Sequence, residues 1–130
     1  MATGRRRYRT RPDRFVCAVR LDLDTAGFWY RKWGGRQRCK RRDWLVDNDG
    51  DVYTVDARVF ARTYRRLRPG VYVKSTPVWA ERASRAGSVP TKEGRSAYKA
   101  GDYLVYNARN GRDGYCMSAR QFKSLYRPDE

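Results

Sequence analysis

At 130 residues the chain has room for one ordinary domain, or two very small ones sharing a core, and 40% hydrophobic with 14% aromatic residues is enough to fold it. Lys and Arg number 30 against 14 Asp and Glu, a formal charge of +16, and there is no histidine, which excludes Ser-His-Asp and Cys-His nucleophilic sites. No apolar run approaches the roughly 18 residues of a membrane span and none follows the Arg-rich start as a secretory signal would, so a cytoplasmic protein without membrane contact is expected.

In chain order, residues 1–11 carry Arg5, Arg6, Arg7 and Arg9 with no apolar periodicity and read as a basic flexible arm. Phe15 to Leu21 alternates apolar with small or charged residues, as a strand does. Asp22 and Asp24 alternate with leucines, the pattern of an edge strand rather than a catalytic carboxylate pair. A turn at Trp33-Gly34-Gly35 leads to a charged strand, Arg36 to Lys40, and then to a central strand, Asp43 to Asp47. Asn48-Asp49-Gly50 is a hairpin turn, because Asp-Gly tolerates the positive φ that such turns need. The run Asp47 to Asp51 is therefore a turn and not a calcium loop, since Val52 and Arg58 stand where glycine and glutamate would be required. Asp56 is placed to cap a helix whose inward face is Phe60, Tyr64 and Leu67.

The same succession then recurs. Val71 to Val73 leads toward Val78 to Ala80, read as strand or as a short helix starting at Thr76-Pro77 and stopping at Gly87. A turn at Lys92-Glu93-Gly94 precedes strands at Arg95 to Lys99 and Asp102 to Tyr106. Ser96 and Lys99 point to opposite faces of their strand and cannot form a nucleophile pair. A turn from Asn110 to Gly114 follows, then Ser118 as a cap and a helix face of Ala119, Phe122 and Tyr126. Asp43-Trp44-Leu45-Val46 aligns with Asp102-Tyr103-Leu104-Val105, Gly35 with Gly94, Tyr53 with Tyr115, Phe60 with Phe122, and Tyr64 with Tyr126. An aromatic register kept in one order over so long a stretch indicates a tandem duplication. The expected fold is α+β, mostly β: two β-β-β-β-α units, residues 12–68 and 69–130, forming small SH3-like rolls packed with pseudo-twofold symmetry into one compact body.

Thr91-Lys92-Glu93-Gly94, Gly101-Asp102-Tyr103-Leu104-Val105, Tyr115, Phe122 and Tyr126 together resemble the small phage and bacterial proteins named for their PGDYG motif. Ala100 replaces the motif's leading proline, and the first copy has Arg42 and Trp44 for its glycine and tyrosine. That family has no established activity, so the resemblance implies a phage or prophage setting and no particular chemistry.

Function is sought in the charge distribution. Residues 1–42 hold 14 Lys and Arg against three acids, whereas residues 43–70 hold five of each and residues 71–130 hold 11 against six. Besides the arm, Arg31, Lys32, Arg36, Arg38, Lys40, Arg41 and Arg42 cluster on one hairpin, with Trp29, Tyr30 and Trp33 beside them as stacking platforms. Arg58, Arg62 and Arg65 add a basic face to the first helix. Gln37 and Asn48 are the only candidate base readers there, so backbone-directed binding with weak sequence preference is expected. The partner is read as nucleic acid, DNA or RNA. The alternative is an interaction module or inhibitor that meets an acidic protein surface. No enzyme activity, cofactor or metal is expected, and Cys17, Cys39 and Cys116 form no CxxC pair and are read as reduced, mostly buried thiols.

Overall fold

Short runs of period-two alternation, punctuated by Gly, Asn and Asp, make strands, and the described residues accordingly fold as mostly β with two short helices. The computed structural model describes residues 4–129. The first half contains β1 (Arg6–Thr10), β2 (Val16–Arg20), β3 (Gly27–Lys32), β4 (Gly35–Lys40), β5 (Trp44–Asn48), β6 (Asp51–Val55) and α1 (Ala57–Thr63). After these come β7 (Tyr64–Arg68), β8 (Val71–Lys74), β9 (Val78–Arg82), β10 (Gly87–Pro90), β11 (Arg95–Tyr98), β12 (Tyr103–Tyr106), β13 (Gly114–Met117), α2 (Ala119–Leu125) and β14 (Tyr126–Pro128). One five-stranded sheet has the order β6-β5-β2-β8-β7 and the other β13-β12-β9-β1-β14, while β3-β4 and β10-β11 pair as separate arms. All pairings are antiparallel.

Local chemistry accounts for the turns and caps. Asp49 and Gly50 have φ of 54° and 91°, the two positive values of a tight hairpin turn, and the Asp47 carboxylate accepts the Gly50 N–H at 2.8 Å. Asp56 accepts from the Arg58 and Val59 N–H groups and Ser118 from that of Gln121, so both helices are capped by the expected residues. Tyr64 and Tyr126 already have extended backbone, however, and each helix ends there. Leu67 consequently lies 46% exposed on β7 instead of on the helix's inward face. The cause is the Pro69-Gly70 reversal, which pairs β7 with β8 and draws the preceding residues into the sheet.

Each sheet has its own aromatic core. In one, Phe60 is stacked between Trp44 at 4.1 Å and Tyr64 at 4.5 Å, with Tyr72 edge-on and Val16 and Val46 beneath. In the other, Tyr103 stacks on Phe122 at 4.1 Å and Tyr8 meets the same ring edge-on at 4.8 Å. The Gly101-Asp102-Tyr103 run of the sequence motif thus has structural work. Gly101 takes φ of 93°, Asp102 accepts the Lys99 N–H at 3.0 Å, and Tyr103 packs the core. Of the thiols, Cys39 is buried, Cys116 half-buried, and Cys17 exposed because β2 turns Val16 inward and its neighbour out.

Two boundaries differ from those expected. Residues 6–10 of the supposed flexible arm form β1, hydrogen-bonded between β9 and β14; residues 1–3 of that arm lie outside the described residues. Tyr8 alternates with Arg7 and Arg9, so its ring goes to the core while the arginines stay outside. β8, assigned by sequence to the second unit, completes the first sheet, and β1 completes the second.

Candidate nucleic-acid interface and an internal cavity

The β3–β4 arm carries a cluster of positive charge on one face. Its register sets Trp29 opposite Arg38 and Arg31 opposite Arg36, so these four side chains share that face. The other face holds Gln37 and Cys39, both 0% exposed. Trp29 is 51% exposed, and the guanidinium carbons of Arg36 and Arg38 lie 4.3 and 5.2 Å from its ring centroid. Among the described residues, no carboxylate comes within ion-pair distance of Arg31, Arg36 or Arg38. The face therefore joins an accessible aromatic surface to uncompensated charge.

Several other candidates are already engaged. Lys40 bridges Asp43 and Asp56, each at 3.2 Å. Burial opposes its charge, but those two hydrogen-bonded carboxylates outweigh that and raise its pKa. Lys32 pairs with Asp51 at 2.8 Å. Trp33 takes φ of 56° in the turn and packs on Tyr53 at 5.5 Å, so its ring faces inward. Arg5 meets Glu81 at 2.8 Å and lies over Tyr106, and Arg7 and Arg9 share Asp129. Arg62 holds Asp113 at 2.7 Å, and Arg42 reaches Asp22 at 4.0 Å. Arg6, Arg41, Arg58 and Arg65 are exposed but belong to other elements. Of the proposed base readers, Gln37 is buried and donates to the Lys32 and Arg95 carbonyls, while Asn48 donates to the Tyr53 hydroxyl at 3.4 Å.

A cavity of about 130 Å³ lies where the two sheets meet. Tyr53, Tyr64, Tyr115 and Tyr126 all line it, together with Val55, Val59, Met117 and Leu125. Lys74 lines it too, its Nζ donating to Tyr115 Oη at 2.9 Å, and Tyr115 Oη lies 2.8 Å from Tyr126 Oη. Although Lys74 as a residue keeps some exposed surface, its ammonium is desolvated, which lowers its pKa to about 7 with only partial relief from Asp113. Glu93, also in the wall, is raised to about 7 by burial despite accepting the Asp56 N–H. Burial raises the pKa of all four phenols, Tyr53 to about 12.

No protein-family model, curated protein or solved structure matches the chain. Lys74 and Glu93 escaped sequence reasoning, yet Lys74 carried a signal. Tyr72 points to the core, and a residue two further along the same strand shares its face. Glu93 gave none, because its burial depends on the loop of one arm docking against the cap of α1.

Proposed function

We propose that the chain is a non-enzymatic nucleic-acid-binding protein that holds a phosphate backbone on the exposed β3–β4 face, with Trp29 offering a stacking surface. The carrying observation is the Trp29 ring, half exposed, with Arg36 and Arg38 over it and, among the described residues, no carboxylate within ion-pair distance of either. Stacking on an accessible ring favours single-stranded or distorted nucleic acid. With Gln37 buried, little on this face reads bases, which fits weak sequence preference.

The proposal includes the two sheets as tandem copies of one small SH3-like unit. Support comes from paired roles: Asp43 accepts the Lys40 N–H as Asp102 accepts that of Lys99, and Asp56 caps α1 as Ser118 caps α2. The binding face belongs to one copy alone, since Ala97 stands where the first copy has Arg38.

Titrating labelled single-stranded oligonucleotides, following Trp fluorescence, tests the function. Three arginines on phosphates predict an affinity loss of about 20-fold between about 50 and 200 mM salt. Arg36→Ala with Arg38→Ala should flatten the salt slope by about 1.4, and Trp29→Ala should lose about 1–3 kcal/mol of stacking. No binding at low salt, or full binding by these variants, would remove the proposal.

A further inference from the structure

We propose that the cavity between the two sheets is a binding site for a small organic carboxylate with an apolar body, its carboxylate meeting Lys74 Nζ and the Tyr115–Tyr126 hydroxyl pair. Hydrogen-bond bookkeeping leads there. Lys74 donates to Tyr115 Oη, and whichever way the Tyr115–Tyr126 hydrogen bond runs, one of the two hydroxyl protons has no acceptor left within that chain. Two further Lys74 N–H groups are likewise without a protein acceptor among the described residues. A run of donors that ends in open space wants an acceptor, and a desolvated ammonium wants a negative one.

The surrounding charges leave that role open. Around Lys74 stand Tyr64 of β7, Tyr115 of β13, Tyr126 of β14 and Asp113 ahead of β13, with Asp51, Lys92 and Glu93 elsewhere in the wall. Asp113 is held by Arg62 and Lys92, Asp51 by Lys32, and Glu93 accepts the Asp56 N–H. Each carboxylate of the wall is committed elsewhere, and none is within ion-pair distance of Lys74. Asn107 Oδ1, in the same wall, is buried without a protein partner; as an acceptor it calls for a donor such as water beside the ligand, and the carboxylate itself does not satisfy it.

Size and lining choose the remainder of the ligand. The volume of about 130 Å³ is close to the roughly 150 Å³ of a cavity that accepts benzene. Val55, Val59, Met117 and Leu125 supply apolar wall for a ring or short chain. An acid of about the size of benzoate fits both demands, whereas inorganic phosphate would leave that wall without contact.

Calorimetry and methyl NMR with benzoate, using benzyl alcohol as the neutral isostere, test the site in the full chain. Benzoate should bind at least about ten-fold more tightly than the alcohol below pH 7 and shift the Val59, Met117 and Leu125 methyl signals. Because free Lys74 loses its proton near pH 7, benzoate affinity should fall about ten-fold per pH unit above that, until the raised pKa of the complex is reached. Lys74→Met should abolish the preference for the anion, and Tyr126→Phe, which keeps the ring, should weaken benzoate several-fold. Benzoate that leaves the cavity methyls unmoved, binds no better than the alcohol, or is held by Lys74→Met as by the native chain overturns the proposal. Should Lys74→Met fail to fold, the methyl shifts and the pH profile of the native chain decide alone.

Discussion

A carboxylic acid and an amine in the wall of one cavity bend the pH dependence of stability in opposite senses. Glu93 is raised from 4.5 to about 7, so between those values the folded chain binds more protons than the unfolded one, and stability falls as pH rises. Lys74 is lowered from 10.5 to about 7, so from there upward the unfolded chain binds more protons, and stability rises with pH. The two contributions together have their minimum near pH 7, the reverse of the common maximum. Thermal melts between about pH 5 and 10 should show this trough. Glu93→Gln should remove the acid limb and Lys74→Met the alkaline one; melts in which neither variant alters its limb would refute the assignment. Single residues were unevenly legible in the sequence. Caps such as Asp56 and Ser118 act on amides two or three residues away, so local pattern reveals them. The engagement of Arg62 with Asp113 or Lys32 with Asp51 depends on which elements meet, and the basic cluster looked larger in sequence than the uncompensated face is.

The two arms, β3–β4 and β10–β11, cross so closely that only glycine fits at the crossing. A Cβ on Gly35 would come within 2.6 Å of the Arg95 carbonyl oxygen, and one on Gly94 would overlap the Arg36 carbonyl oxygen. Gly94 also has φ of 158°. Gly50 offers a control, with φ of 91° and nothing near its virtual Cβ. Gly50→Ala should therefore cost about 1 kcal/mol through backbone strain alone, whereas Gly94→Ala should exceed the roughly 1–3 kcal/mol of strain because two backbones must also separate. Urea unfolding of the two variants gives the comparison; equal losses would mean that the crossing is looser than described. At this scale the hairpins were readable because Asp-Gly and Gly-Gly turns are local signals. β1, β7 and β14 were not, because arginine at nearly every outward position hid the alternation of Tyr8 and Tyr64 toward the core.

The path of the chain makes the second sheet depend on a strand remote from it in sequence. β1 supplies hydrogen bonds to β9 on one side and β14 on the other, Tyr8 packs on Phe122, and Arg7 and Arg9 hold Asp129. Without β1, β14 has no partner, β9 gains an open edge, and the core around Phe122 loses one wall. A flexible phosphate-seeking arm behaves otherwise, since its loss weakens binding and leaves the fold unchanged. Deletion of residues 1–11 separates these possibilities. It should lower the melting temperature, broaden or split the transition, and expose backbone amides of β9 and β14 to exchange, whatever it does to nucleic-acid affinity. Tyr8→Ala should reproduce much of that effect at about 2–3 kcal/mol, below the roughly 3–5 kcal/mol for truncating a fully buried ring because Tyr8 is only half-buried, whereas Arg6→Ala, exposed on the same strand, should leave stability within about 0.5 kcal/mol. An unchanged melting transition in the deletion variant would return β1 to the role of an arm. Loss of the fold would assign Arg7 and Arg9 to holding β1 against Asp129 and leave phosphate contact to Arg31, Arg36 and Arg38, which no carboxylate among the described residues engages.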